Sequence, residues 1–238
     1  MKLELRDSIL DSMLDDDLYK FNMGQVVFHD FPEAVVTYEF INRGKTEFPP
    51  GFADALKWQI EQMAKIALTP GEFLFLTGIP GIRRTYAEWF MSYRFDPGEV
   101  MVTQEGGNLK VFIKGYWYRT IFWEVRLMAI ISELYFEMTG QKADTESFKR
   151  LERKTSKLIE HNCLWADFGT RRRFSWFIQN AVVSYMKGAR GFLGTSNVHF
   201  AHRHNVKPIG TSAHEMVMGL SAKYGRSEER RVGKECEV

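Results

Sequence analysis

The sequence predicts an α/β fold, with an N-terminal α+β domain followed by parallel βα units. Two patterns predict it. Residues 1–120 mix helix-period segments with β-rich runs and one strong hairpin signal. From Leu164 onward, short apolar runs alternate with helical stretches, as parallel βα units do. A polar, charge-dense stretch beginning at Thr139 separates the two, giving domains at 1–138 and 139–224.

Leu10, Leu14, Leu18, Phe21 and Val26 recur at near-helical spacing and predict a helix over residues 8–30. Inside it, Asp15, Asp16 and Asp17 are placed to favour the positive end of the first turn. Ala34 to Ile41 is β-rich and reads as a strand. Phe52, Leu56, Ile60 and Met63 predict a helix, and Thr69-Pro70-Gly71-Glu72 is an N-cap with proline in the first turn of the next. Thr85 to Tyr93 is a further short helix. Val100 to Thr103 and Leu109 to Ile113 flank Glu105-Gly106-Gly107-Asn108, a hairpin turn. Thr120 to Phe136 has so little polar face that it reads as a helix buried between layers or between domains. Glu124 and Glu133 within it read as paired or rim carboxylates. Thr139 to Thr155 reads as a solvated linker running into a helix that ends near His161. Then come a strand at Leu164–Ala166, a helix from Phe174 to Met186, a strand at Gly191–Leu193, a helix from Val198 to His202 and a strand ending at Ile209.

Composition narrows the function. A net charge of +2 leaves no broad basic field for nucleic acid, so anion binding must come from local clusters. Two cysteines are too few for a disulfide framework and point to a reducing compartment. No apolar run has the length of a membrane span, and the first residues lack a signal-peptide pattern. A cytoplasmic protein without membrane partners is the expectation.

Three loops carry the chemistry, each at the C-terminal end of an expected strand, where α/β units place functional residues. Gly210-Thr211-Ser212-Ala213-His214 leaves backbone N–H groups open at a strand-to-helix junction, which suits an anion beside an imidazole. The bland alternative is a histidine that satisfies a helix start; Glu215 either orients the ring or favours the helix start. Asp167-Phe168-Gly169-Thr170-Arg171-Arg172-Arg173 sets three arginines after a glycine turn. They cannot all face one pocket. Arg171 lies nearest the loop, and Arg172 and Arg173 read as salt-bridge or surface residues. Phe168 is a stacking platform or a core residue. Thr195, Ser196 and Asn197 offer hydroxyl, amide and backbone donors to a carboxylate or phosphate, or form a plain capping turn.

Together with Leu14-Asp15-Asp16-Asp17-Leu18-Tyr19-Lys20, these loops resemble the nicotinate phosphoribosyltransferase family, over nearly all of the chain up to about Tyr224. The resemblance implies the first part of an irregular α/β barrel of the type II phosphoribosyltransferase kind. It implies transfer from phosphoribosyl pyrophosphate to nicotinate coupled to ATP hydrolysis, with Mg²⁺ and a homodimer whose active sites are shared. By the same resemblance His214 takes phosphate from ATP, and Arg171 meets phosphate. Thr195, Ser196 and Asn197 lie at the nicotinate end. Tyr19 reaches across the dimer to stack on the partner subunit's nicotinate, opposite Phe168. No residue is expected to ligate metal. A nicotinamide or other pyridine phosphoribosyltransferase, or an inactive fragment of the family, is the alternative. Two positions depart from the family pattern: Asp16, where threonine is usual, and Arg126, near a common proline, which reads as a partner for Glu124. The family's later segments, including an Asp-Ser-Gly-Asp-type loop and a glycine-rich phosphate loop, do not follow. Residues 225–238, with four positive and four negative charges, read as a non-native tail.

Overall fold

The computed structural model describes residues 8–210 and 212–224. Its first helix, α1 (Leu18–Asp30), begins ten residues later than the apolar spacing predicts. Residues 14–18 instead turn against the segment 196–199, with Asp17 bridged to Asn197. The Leu18 N–H donates to the Ser196 carbonyl (2.7 Å), and the Val198 and His199 N–H groups donate to Asp16 and Leu14 carbonyls (2.9 Å each). The three carboxylates of Asp15 to Asp17 are therefore buried, and none lies in the first turn of α1. Backbone pairing with a distant loop outcompeted the local helical preference of this stretch.

Strand β1 (Val35–Glu39) follows, then helices α2 (Phe52–Met63), α3 (Pro70–Gly78) and α4 (Arg84–Ser92). Thr69 caps α3 in a full capping box with Glu72, as its sequence predicts. Strands β2 (Val100–Glu105) and β3 (Asn108–Tyr116) form the expected hairpin, closed at the Glu105–Asn108 pair with Gly106 at φ 58°. All three strands are antiparallel in the order β1-β3-β2. Leu109, Val111 and Ile113 alternate inward along β3. Helices α5 (Trp117–Thr120) and α6 (Trp123–Met138) come next. Helix α6 buries Trp123, Val125, Leu127, Ile130, Ile131 and Leu134 in the main core, in keeping with its nearly continuous apolar surface.

The expected linker is mostly helix. Helix α7 (Thr145–Glu160) starts at Asp144, whose carboxylate accepts the Ser147 N–H (2.8 Å). Strand β4 (Trp165–Asp167), helix α8 (Trp176–Met186), strand β5 (Phe192–Thr195) and helices α9 (Val198–His204) and α10 (His214–Tyr224) complete the described chain. β4 and β5 are parallel, with Asp167 opposite Thr195. Residues 207–209 run parallel beside β5: Thr195 N–H donates to the Lys207 carbonyl (3.2 Å) and Ile209 N–H to the Thr195 carbonyl (2.8 Å). Gly194, at φ +143°, permits this approach, because a Cβ there would lie 1.9 Å from the Lys207 oxygen. The result is a partial parallel α/β layer whose three C-terminal strand ends stand abreast. The tail at residues 225–238 lies outside the described residues, as does Thr211.

Candidate active site

At these strand ends the three loops converge on residues 14–20, and Gly210 packs against Leu18 and Asn22 of α1. The acidic run is the centre of the arrangement. Asp15 accepts from one nitrogen of Arg173 through both oxygens (2.9 Å each) and from the Asn197 amide (2.6 Å). Burial pushes its carboxyl up, but the Arg173 charge and the Asn197 hydrogen bond outweigh that and hold it below the usual carboxylate range. Arg173 is fully enclosed, which separates it from a surface role. Asp17 accepts from the Thr170 hydroxyl (2.8 Å) and the Ser196 hydroxyl (2.6 Å), and burial keeps its carboxyl above the usual range. The Thr195 hydroxyl donates to Asp167 (2.7 Å), which also accepts from Gln179 (2.7 Å).

The side chains of Thr195, Ser196 and Asn197 are occupied within this chain. All three are buried, and their side chains serve the protein's own carboxylates. Asn197 also caps α9 through its carbonyl oxygen, which accepts the Phe200 N–H (3.0 Å). Their physical task is to bind the 14–17 segment to the strand ends, as buried carboxylates need such partners.

Arg171 differs from its neighbour Arg173. Its side chain is half exposed and donates to Glu124 Oε1 (3.0 Å). The other Glu124 oxygen accepts from Lys20 Nζ (2.5 Å). Lys20 is wholly buried and also pairs with Glu215, whose second oxygen accepts from the Tyr38 hydroxyl and from Trp117 Nε1 (2.9 Å). Glu215 therefore ties α10 to the N-terminal sheet rather than orienting the His214 ring. Glu124 and Glu133 are both paired: Glu133 accepts the Trp176 N–H (2.8 Å) and lies 3.8 Å from Arg173 Nε. Arg126 is not the partner of Glu124. It pairs inside the core with Asp16.

Tyr19 lies beside this network. Its ring is only 5% exposed in its own chain, with Asp17, Glu124 and Arg171 as its charged neighbours. Phe168, by contrast, is 50% exposed at the end of β4, which removes the core-packing alternative. His214 is exposed as the first residue of α10, so its imidazole is not enclosed by the fold. The loop after β4 thus offers the open aromatic face of Phe168 and the accessible guanidinium of Arg171, with Arg172 exposed beside it, and the accessible imidazole of His214 follows residues 207–209. Sequence reasoning missed Lys20. The signal was a lysine one residue past Tyr19 on the core face of a helix whose other inward residues are apolar.

Residues 14–132 match the family model described as the nicotinate phosphoribosyltransferase (NAPRTase) N-terminal domain, and residues 163–229 that of the nicotinate phosphoribosyltransferase (NAPRTase) family. The nicotinate phosphoribosyltransferase of Chromohalobacter salexigens is 43% identical over 224 residues, covering 91% of this chain and 57% of the relative. That of Desulforapulum autotrophicum is 44% identical over 215 residues, covering 88% and 55%. The crystal structure of nicotinate phosphoribosyltransferase from Porphyromonas gingivalis superposes with a TM-score of 0.86 at 35% identity, over 95% of this chain and 59% of that one. The chain spans about half the length of the curated relatives it matches.

Proposed function

The chain belongs to the nicotinate phosphoribosyltransferase family, and from that premise we propose that it serves phosphoribosyl transfer to nicotinate. Nicotinate and phosphoribosyl pyrophosphate give nicotinate mononucleotide and pyrophosphate, coupled to ATP hydrolysis. One observation carries this reading: Phe168 and Arg171 in the loop after β4 and His214 after residues 207–209 are all solvent-accessible. The reaction breaks the bond from ribose C1 to pyrophosphate, so positive charge grows on the sugar and negative charge on the leaving group. A forked guanidinium matches the phosphate oxygens, and the Glu124 contact holds it ready without enclosing it. Phe168 supplies a ring face on which a pyridine stacks. In this reading the imidazole of His214 attacks the γ-phosphorus of ATP, the bond to ADP breaks, and the helix start stabilises the phosphoryl dianion.

Mg²⁺ enters the proposal only as a companion of the pyrophosphate substrate. Among the described residues no group of three or more histidines, cysteines, aspartates or glutamates is arranged to hold a metal. Asp15, Asp16, Asp17, Glu124 and Glu215 are each engaged with cations or hydroxyls of the chain itself. No step is therefore routed through the metal. The proposal includes a homodimer in which Tyr19 reaches the partner subunit's nicotinate. A cytoplasmic setting is proposed as well; among the described residues no helix is long and apolar enough to cross a membrane, and Cys163 is a free thiol.

The test is an assay of nicotinate mononucleotide formation with and without ATP. It is run on this chain and on the chain extended to the length of its relatives, with nicotinate and nicotinamide in parallel. Product from nicotinate in the extended protein is expected. No product there would sink the reading, and product from nicotinamide alone would move it to the amide. Turnover confined to the extended protein would make this chain an inactive part of the enzyme.

A further inference from the structure

Arg171 and the start of α10 are joined by an unbroken line of charge contacts. Arg171 donates to one oxygen of Glu124 (3.0 Å), and Lys20 donates to the other (2.5 Å). Lys20 also pairs with Glu215, the residue next to His214. Glu215 in turn is fixed by Tyr38 and by Trp117 Nε1 (2.9 Å). Lys20 is wholly buried, whereas Glu124 is about one-third exposed at 32%. A buried ammonium shared by two carboxylates cannot tighten on one without loosening its hold on the other, because water is not there to make up the difference. The line crosses four separate parts of the fold: α1, α6, α10 and the turn after β4.

We propose that Lys20 is a positioning residue that transmits a charge change at His214 to the guanidinium of Arg171, through Glu215 on one side and Glu124 on the other. A phosphoryl dianion on His214 stands one residue from Glu215 and adds to the negative field there. Lys20 responds toward that end, Glu124 is released in part, and Arg171 becomes freer to take up a phosphate. The inference rests on the reading of His214 as the phosphoryl acceptor. It assigns to Lys20 the regulation of the same site.

The experiment uses the 238-residue chain labelled with ¹⁵N-arginine, and reads the Nε–H resonance of Arg171, assigned by its loss in Arg171→Lys. Phosphoramidate phosphorylates the exposed imidazole: its own P–N bond breaks, ammonia leaves, and a P–N bond to His214 forms. Mass spectrometry locates the phosphate, and treated His214→Gln protein removes contributions from the other histidines. The Arg171 resonance is expected to shift by more than its linewidth in the wild-type chain, to stay in place in Lys20→Met, and to shift again in Lys20→Arg. Where Lys20→Met fails to fold, Glu124→Gln cuts the same line at its partly exposed link and is expected to abolish the shift. A resonance that stays put in the wild type although His214 carries phosphate overturns the proposal. So does a shift that survives Lys20→Met or Glu124→Gln. The readout is separate from turnover: a responsive Arg171 in an extended protein that makes no nicotinate mononucleotide would sink the transfer reading and leave this coupling standing. Turnover with a silent Arg171 would do the reverse.

Discussion

Asp16 and Arg126, 110 residues apart in the chain, meet as an ion pair with neither side chain exposed. Arg126 also donates to the carbonyls of Met13 (2.6 Å) and Phe122 (3.0 Å) and lies 5.1 Å from the Phe95 ring. Its contacts tie the start of α6 to the segment that carries the acidic run.

Breaking that pair from one side leaves a buried charge without its partner. Arg126→Met is expected to destabilise the chain by about 3–5 kcal/mol. Combining it with Asp16→Asn is expected to cost less than the sum, with a coupling of at least about 1 kcal/mol. Urea unfolding of the four proteins measures this. Additive costs would mean that the two residues act independently.

The pair also sets a pH dependence. Burial pushes the Asp16 carboxyl up to about 7, against the pull of Arg126. A carboxyl raised in the folded state binds its proton more tightly there than when unfolded. The stability it contributes is full below its unfolded value near 3.8 and is lost as pH rises through about 7. The stability of wild type relative to Asp16→Asn should therefore fall between about pH 4 and 7, by up to about 1.4 kcal/mol per pH unit, and level off above that. A flat difference across that range would refute the assignment. The comparison with Asp16→Asn is needed because Asp15, held low, has the opposite slope.

The two arginines flanking Arg172 should separate stability from function. Arg173→Ala leaves Asp15 buried without its cation and is expected to cost about 3–5 kcal/mol in unfolding. Arg171→Ala, at a half-exposed position, should change stability little. In the extended, active protein it should instead raise the requirement for phosphoribosyl pyrophosphate, by about 1.5–3 kcal/mol of lost charge-assisted contact. Similar unfolding costs for the two would erase the distinction.

His214 is expected to take up phosphate from ATP in an acid-labile, base-stable form in the extended protein. His214→Ala should abolish the label and leave some ATP-independent transfer. Label retained in that variant would place the acceptor elsewhere.

Helix α10 depends on one close approach. A Cβ at Gly219 would lie 2.2 Å from the buried Trp117 ring. Gly219→Ala should lift the helix from Trp117, change tryptophan emission and speed proteolysis near His214, while the unfolding of the N-terminal sheet stays close to wild type. Unchanged emission and proteolysis would show that the contact is not needed to seat the helix.

Much of the fold was legible because its signals are local. The capping box at Thr69, the glycine turn between β2 and β3 and the apolar surface of α6 are written within a few residues of where they act. The strand-to-helix alternation after Leu164 likewise placed the motif loops at strand ends, where they stand. The candidate site was legible only in part. Phe168, Arg171 and His214 lie open as a binding or reacting residue requires. Thr195, Ser196 and Asn197 have the chemistry of ligand donors, and nothing near them in sequence reveals that Asp167, Asp17 and Asp15 take those donors first.

The sequence by itself determined most of the helices, strands and turns, though not the start of α1 or the extent of α7, because period, capping and turn preference depend on neighbours along the chain. Only the tertiary structure decided the partners of the charged residues. Residues 14–17 left their helical pattern to pair with 196–199, and that one choice enclosed three carboxylates. Their partners then had to come from α6, the turn after β4 and the turn after β5. The free energy of a buried charge depends on how near the opposite charge stands and how well water is excluded. Both are set by the packing of distant segments, which is why the partners of Lys20 and Arg126 appear only once the chain is folded.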